Sequence, residues 1–190
     1  MENYYTGIGS RETPQEICDV FEEIGYKLAK YYILRSGHAD GADLSFEKGY
    51  DKALKTSNSN NINDIKGKNI FIPWEGFNNS TSCRFFITND AYQLAKKFYW
   101  NPELFDNLKP AVKKLMARNC YQVLGPKLNE PSNFIICYTE NGEMKGGISQ
   151  ALRIAKAYKI PVFNFGCNNN DINKNYSILQ EYLKQFYIDI

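Results

Sequence analysis

Residues 134–138 read FIICY, an unbroken apolar run in the second half of the chain. Side chains alternate between the two faces of a strand, so a run with no polar member is buried on both sides. Such a strand belongs inside a sheet covered by helices above and below. The rest of the sequence supplies those helices. Tyr4-Tyr5-Thr6 forms a short apolar run, and Thr13-Pro14-Gln15-Glu16 carries N-cap, first-turn proline and capping-box signals. Ile17, Val20, Phe21, Ile24 and Leu28 follow at helical spacing, predicting a helix over about 14–30. Tyr31–Leu34 reads as a second strand and leads to a helix through Leu44, Phe46 and Leu54. Asn69–Trp74 reads as a third strand.

Residues 56–68 are polar and Asn-rich, and read as a surface loop with no function of its own. Residues 78–108 read as a largely helical insertion, with caps at Thr88 and at Asn101-Pro102. A helix opening at Lys109-Pro110 carries Val112, Leu115, Met116, Cys120, Val123 and Leu124 on one stripe. Gly146-Gly147 starts another through Ala151, Ile154, Ala155 and Tyr158. Ile160–Phe165 is the last strand, and Tyr176–Tyr187 a terminal helix. Strand and helix alternate throughout, which predicts an α/β, Rossmann-like doubly wound fold with a mainly parallel sheet and helices on both faces. A length of 190 residues suits one domain spanning 1–190.

Composition narrows the chemistry. Lys+Arg 23 against Asp+Glu 21 leaves a net charge of +2, so nucleic-acid binding is disfavoured unless it comes from a local patch. Cys18, Cys83, Cys120, Cys137 and Cys167 are scattered with no C-x-x-C spacing, the pattern of reduced thiols in a reducing cytosol. His38 is the one histidine, so a zinc site built from several histidines is excluded and no metal is expected. No apolar stretch approaches the ~18 residues of a membrane span. MENYYTGIGS has no basic n-region or apolar h-region, so the expected compartment is the cytoplasm.

In sheets of this class, ligands bind beyond the carboxyl ends of the strands. Three junctions there are glycine-rich: Gly7 to Arg11, Gly37 to Asp43, and Gly142 to Gly147. Close backbone approach and free N–H groups at helix starts favour an anion, so the three together point to a phosphate-bearing ligand; ordinary turns and caps are the alternative. There is no G-x-x-x-x-G-K-[ST], and the first loop reads G-x-G-S-R rather than G-x-G-x-x-G, which disfavours P-loop NTPases and dinucleotide dehydrogenases.

Arg11 and Arg35 flank glycine loops and Arg118 lies on a helix; forked guanidinium groups suit phosphate, although each alone fits a surface or capping role. Asp43 and Glu47 are four apart and share a helix face. Either carboxylate could bind ribose hydroxyls or stabilise an oxocarbenium-like sugar, whereas Asp40 and Asp43 equally fit helix caps. His38 sits in a candidate ligand loop, as a catalyst or simply a hydrogen-bonding side chain. Trp74, Glu75 and Phe77 follow a strand end, where the aromatics could stack on a base or pack as core or lid.

Five segments, TGIGSRETP, LRSGHADGADLSFEKG, IFIPWEGFN, LMARNCYQVLG and FIICYTENGEMKGGISQALRIAKAYKIPVFNF, together resemble the SLOG superfamily. That group includes the DNA-processing protein DprA (Smf) and the Lonely Guy phosphoribohydrolases. The likeness is greatest to small stand-alone members common in bacteriophages and mobile elements, and it implies a phage-encoded protein of the bacterial cytosol. It covers about residues 4–166. By resemblance, Gly9, Ser10 and Arg11 line one side of a nucleotide pocket, and Ser36, Gly37, Asp40, Gly41 and Asp43 another. Gly146, Gly147 and Ser149 cradle the phosphate, and Arg118 reaches in from its helix. The Lonely Guy enzymes carry P-G-G-x-G-T-x-x-E; here the Gly-Gly pair is kept, while the glutamate position falls on Leu152 or Arg153. A hydrolase of that type would need Asp43 or Glu47 as a substitute.

The leading expectation is therefore a protein that binds a nucleotide or nucleotide-derived signal, to sense or sequester it, with no separate cofactor. Cleavage of the N-glycosidic bond of a nucleoside 5′-monophosphate is the alternative, and DprA-like DNA binding is weaker still. A homodimer or higher homo-oligomer is expected through the stripe on 109–124, which could equally be buried within its own domain.

Overall fold

The computed structural model describes residues 2–57 and 65–190. Five parallel strands, β1 (Tyr4–Gly9), β2 (Ile33–Ser36), β3 (Lys68–Ile70), β4 (Phe134–Tyr138) and β5 (Val162–Asn164), form one sheet in the order β3-β2-β1-β4-β5. The helices are α1 (Gln15–Leu28), α2 (Ala42–Thr56), α3 (Asn89–Lys97), α4 (Pro110–Leu124), α5 (Ile148–Ala157) and α6 (Ile172–Lys184). This is the expected α/β doubly wound architecture.

The FIICY strand explains how two cores are built from one sheet. Phe134, Ile136 and Tyr138 enter a cluster with Ile17, Phe21 and Ile24 of α1, Phe46 of α2 and Leu179 of α6. Ile135 and Cys137 face the opposite way, into a cluster with Ala91 and Ala95 of α3, Cys120 and Val123 of α4, and Ile154 of α5. The first cluster is aromatic, with Phe21 stacked on Phe46 at 4.4 Å between ring centroids. Among the described residues, no helix is long and apolar enough to cross a membrane.

Several boundaries move from their expected places. Tyr31 and Tyr32 are not strand: both backbone N–H groups donate to Leu28 O, closing the end of α1, and β2 begins at Ile33. The third strand leaves the sheet after Ile70, because Ile72 N donates to Arg84 O instead of continuing the ladder. The insertion is helical at α3 and in a 3-10 stretch over Pro102–Asn107, with Thr88 and Asn101 capping as expected and a short 3-10 turn at Phe77–Asn79 leading in. Thr13 does not cap α1; Pro14 holds that position, and Thr13 Oγ1 donates to Ser10 O at 2.6 Å. The last helix starts earlier, at Ile172, because Asp171 accepts from Lys174 N as its cap. Residues 58–64 of the polar loop at 56–68 lie outside the described residues. In α4, every residue from Met116 to Leu124 is buried, so the apolar stripe is covered there by the chain's own α3, α5 and sheet.

Candidate functional site

The strand order reverses between β1 and β4, so the loops leaving these neighbours run to opposite faces and part at their carboxyl ends. A crevice at such a switch point is where doubly wound sheets bind ligands. A cleft of about 480 Å³ opens there. Ser10, Arg11 and Glu12 after β1 form one wall, and Thr139, Glu140 and Lys145–Ile148 after β4 the other. Leu115, Met116, Arg118 and Asn119 of α4 close one side, and Ala39 and Asp43 complete the lining.

Asp43 organises the floor. It is 1% exposed, and its two oxygens accept from Gly9 N and Gly37 N, both at 3.1 Å, which ties the ends of β1 and β2 together. Arg118 provides the counter-charge, with Nη1 3.5 Å from Asp43 Oδ2 and donating to Gly37 O at 2.8 Å. Gly37 must lack a side chain for this to happen, since a Cβ there would lie 1.4 Å from Arg118 Nη1. Burial pushes the Asp43 carboxyl up to about 6, against the opposing pull of Arg118.

The same guanidinium is not fully used. Arg118 is 6% exposed, and its Nε has no hydrogen-bond partner. Arg11 stands nearby: both guanidinium carbons are 6.0 Å from the Phe77 ring centroid, and the Arg11 charge opposes that of Arg118. Among the described residues, Arg11 makes no ion pair. Two guanidinium groups that approach each other beside a buried, unpartnered N–H are the arrangement an anion completes.

The start of α5 is set beside them. Asn119 Nδ2 donates to Gly147 O at 3.0 Å and Ser149 Oγ to Gly146 O at 2.7 Å, fixing the Gly-Gly turn against α4. Lys145 stands at the mouth, ion-paired with Glu143.

Of the residues singled out from sequence, Gly9, Ser10, Arg11, Asp43, Arg118, Gly146 and Gly147 come together around this cleft. Others do not. Arg35 is wholly buried elsewhere: it donates to Glu130 O at 2.5 Å and Glu130 Oε2 at 2.8 Å, with its guanidinium 3.7 Å from the Tyr4 ring centroid, so it braces β2 against the segment before β4. Gly7 packs under Phe46, where a Cβ would come within 2.5 Å of the ring. Trp74 is exposed and sits edge-on to Phe77, away from the lining. Gly41 packs against Ser10 O, Asp40 accepts from Asn78, and Ser149 acts through its turn rather than on the cavity.

The two candidate catalytic carboxylates are separated. Asp43 faces the cleft floor with both oxygens taken, whereas Glu47 accepts from Ser36 Oγ at 2.7 Å and from His38 N at 3.1 Å, beneath a different hollow. Glu12, Glu140, Asn119, Thr139 and Lys145 line the cleft without having been singled out. Glu12, Thr139, Glu140 and Lys145 border the glycine loops and Asn119 follows Arg118, and nothing more in the sequence pointed to them.

No protein-family model, curated protein or solved structure matches the chain.

A pH dependence follows from two of these groups. Asp43 is raised from 3.8 to about 6, so the folded state holds its proton more tightly than the unfolded chain. That contribution is complete below about pH 4 and is lost as pH rises through about 6. His38 is also raised, chiefly by its hydrogen bond to Glu47, so its contribution is present at and below its ordinary 6.5 and lost as pH rises through the higher folded value. Both act in one direction. Between pH 5 and 8 the Asp43 part alone amounts to about 1–2 kcal/mol. Urea unfolding across that interval is expected to show stability falling with pH, and a rise would refute the assignment.

Proposed function

We propose that the cleft binds a nucleotide or nucleotide-derived ligand, and that the chain is a SLOG-type binding protein. The observation that carries this reading is the pair Arg11 and Arg118, converging on the switch-point cleft with a buried Arg118 Nε left unpartnered. A phosphate would accept from both guanidinium groups, with Lys145 and the backbone at Gly146-Gly147 on its other side. The cleft's volume, about 480 Å³, suits a ligand of mononucleotide size. Thr139, Glu140 and Glu12 offer acceptors for sugar hydroxyls or base edges.

Asp43 and Glu47 give little support to hydrolysis, since each spends its oxygens on backbone N–H, hydroxyl or imidazole donors. Glu12 and Glu140 are the carboxylates a glycosidase would draw on.

The test is incubation with ribo- and deoxyribonucleoside monophosphates, cyclic nucleotides, NAD and ADP-ribose. Desalting, denaturation and mass spectrometry of the released material follow. An intact nucleotide carried through desalting supports binding, and accumulation of free base marks a glycosidase. Failure to retain or cleave any of them overturns the reading. Arg11→Ala removes an exposed side chain with no ion pair, so its fold should be intact. It is expected to weaken ligand binding about 10–100-fold, the loss of one charge-assisted contact.

A further inference from the structure

Behind the Gly37–Gly41 loop, away from the cleft, a second hollow of about 480 Å³ lies between α2, β3 and residues 79–84. His38 stands in its wall. Its φ is +58°, a left-handed backbone that residues bearing a Cβ rarely adopt. Three contacts hold it there. Glu47 accepts from His38 N at 3.1 Å and pairs with the ring Nδ1 at 2.6 Å, and Asn78 Nδ2 donates to His38 O at 3.0 Å. Strain maintained in this way concentrates at functional positions.

The donors and acceptors around the hollow do not balance. Glu47, with its side chain 5% exposed, spends its acceptor capacity on His38 and Ser36 Oγ. Asp51 is engaged by Lys68 at 2.5 Å. With Nδ1 directed at Glu47, the ring nitrogen left for the hollow is Nε2, which carries a proton in the imidazolium form that Glu47 favours. Asp43 adds to that preference and Lys68 opposes it. Arg84 lines the same space with no hydrogen bond or ion pair from its guanidinium among the described residues. Ser80 Oγ already accepts from Ser82 N, so its hydroxyl proton is available. The two carboxylates are matched by His38 and Lys68, which leaves Arg84 as the uncompensated charge and donors in excess.

We propose that this hollow is a second anion site, separate from the cleft, in which His38 Nε2–H, the Arg84 guanidinium and the Ser80 hydroxyl hold an oxyanion of the phosphate class. The two sites share the Gly37–Gly41 loop: Ala39 lines one and His38 the other. An anion in the hollow therefore stiffens one wall of the cleft.

A single histidine makes the test clean, because its ring resonances need no assignment. His38 is titrated by NMR with and without inorganic phosphate at constant ionic strength. Phosphate is expected to raise the apparent pKa of His38 saturably, by about one unit for a tenfold preference for the imidazolium. Arg84→Gln is expected to weaken the phosphate response at least about tenfold, while the phosphate-free His38 pKa holds or rises slightly with the loss of a neighbouring cation. Arg11→Ala, which disables the cleft, leaves the response intact. Ring signals indifferent to phosphate overturn the proposal. So does a response that survives Arg84→Gln and disappears in Arg11→Ala, which would locate the anion in the cleft alone.

Discussion

Arg118→Met is expected to destabilise the protein by about 3–5 kcal/mol at pH 8, the cost of stranding a buried charge. Methionine keeps the apolar length of the side chain beside Gly37 and Phe77, so the effect is chiefly electrostatic. Asp43, 1% exposed, would lose its buried counter-charge, and Gly37 O its donor. The Asp43 carboxyl, already at about 6, would move further up. The loss should therefore shrink as pH falls and the carboxyl protonates, so urea unfolding at pH 5 is expected to show a markedly smaller difference than at pH 8. In a double-mutant cycle, Asp43→Asn in the Arg118→Met background should cost less than in the parent. A loss under about 1 kcal/mol at pH 8, or strict additivity with Asp43→Asn, would show that the pair is not the keystone of the β1–β2 junction. Ligand retention is expected to vanish in the same variant, because the unpartnered Nε goes with the guanidinium.

The doubly wound sheet was legible because its determinants are local and periodic. FIICY cannot be half-solvated, and the helices around Ile17–Leu28 and Val112–Leu124 carry their apolar positions at clear helical spacing. The misplaced boundaries share one cause: hydrogen-bond partners distant from the pattern. Tyr31 and Tyr32 look like strand residues, yet their N–H groups close a helix on Leu28. Phe71 and Ile72 continue an apolar run, yet the chain turns to meet Arg84. Asn-rich residues hide the start of α6, where only Asp171 marks the cap.

The site was legible where glycine loops end strands, and less so where charge decides. Arg35 and Arg118 look alike in sequence: each is a rare arginine in a lysine-rich chain. What separates them is where each guanidinium lies. The Nε of both is buried and unpartnered, but Glu130 and Tyr4 enclose Arg35 away from the cleft, whereas Arg118 lines it. Asp43 and Glu47, one turn apart on α2, also look equivalent. Asp43 reaches both Gly9 and Gly37, while Glu47 reaches past them to Ser36 and His38, and the intervening loop assigns each to its own cavity.

Gly49→Ala is expected to destabilise the protein, although alanine in a helix interior ordinarily gains about 0.5–1 kcal/mol over glycine. α1 and α2 cross with their backbones in contact. A Cβ on Gly49 would lie 2.0 Å from Glu22 O and 2.7 Å from Tyr26 N, and one on Gly25 would lie 2.5 Å from Phe46 O. Those neighbours are main-chain atoms inside a helix, so no side-chain rotation relieves the overlap and the helices must separate. Separation opens the Phe21–Phe46 stack at 4.4 Å, the centre of the aromatic core on that face of the sheet. Overpacking of this kind costs about 1–3 kcal/mol, and a rigid obstacle on each helix places the effect at the upper end. For a chain of this size that is a fall in Tm of about 4–10 °C. The displacement would also draw α2 away from the sheet, and with it Asp43 and Glu47. Gly49→Ala should therefore lower ligand affinity in the cleft and weaken the His38–Glu47 pairing, read as a lower His38 pKa by NMR. A Gly49→Ala protein as stable as the parent would mean that the two helices can yield without disturbing the core, and that the spacing of α2 from α1 does not set the position of either carboxylate.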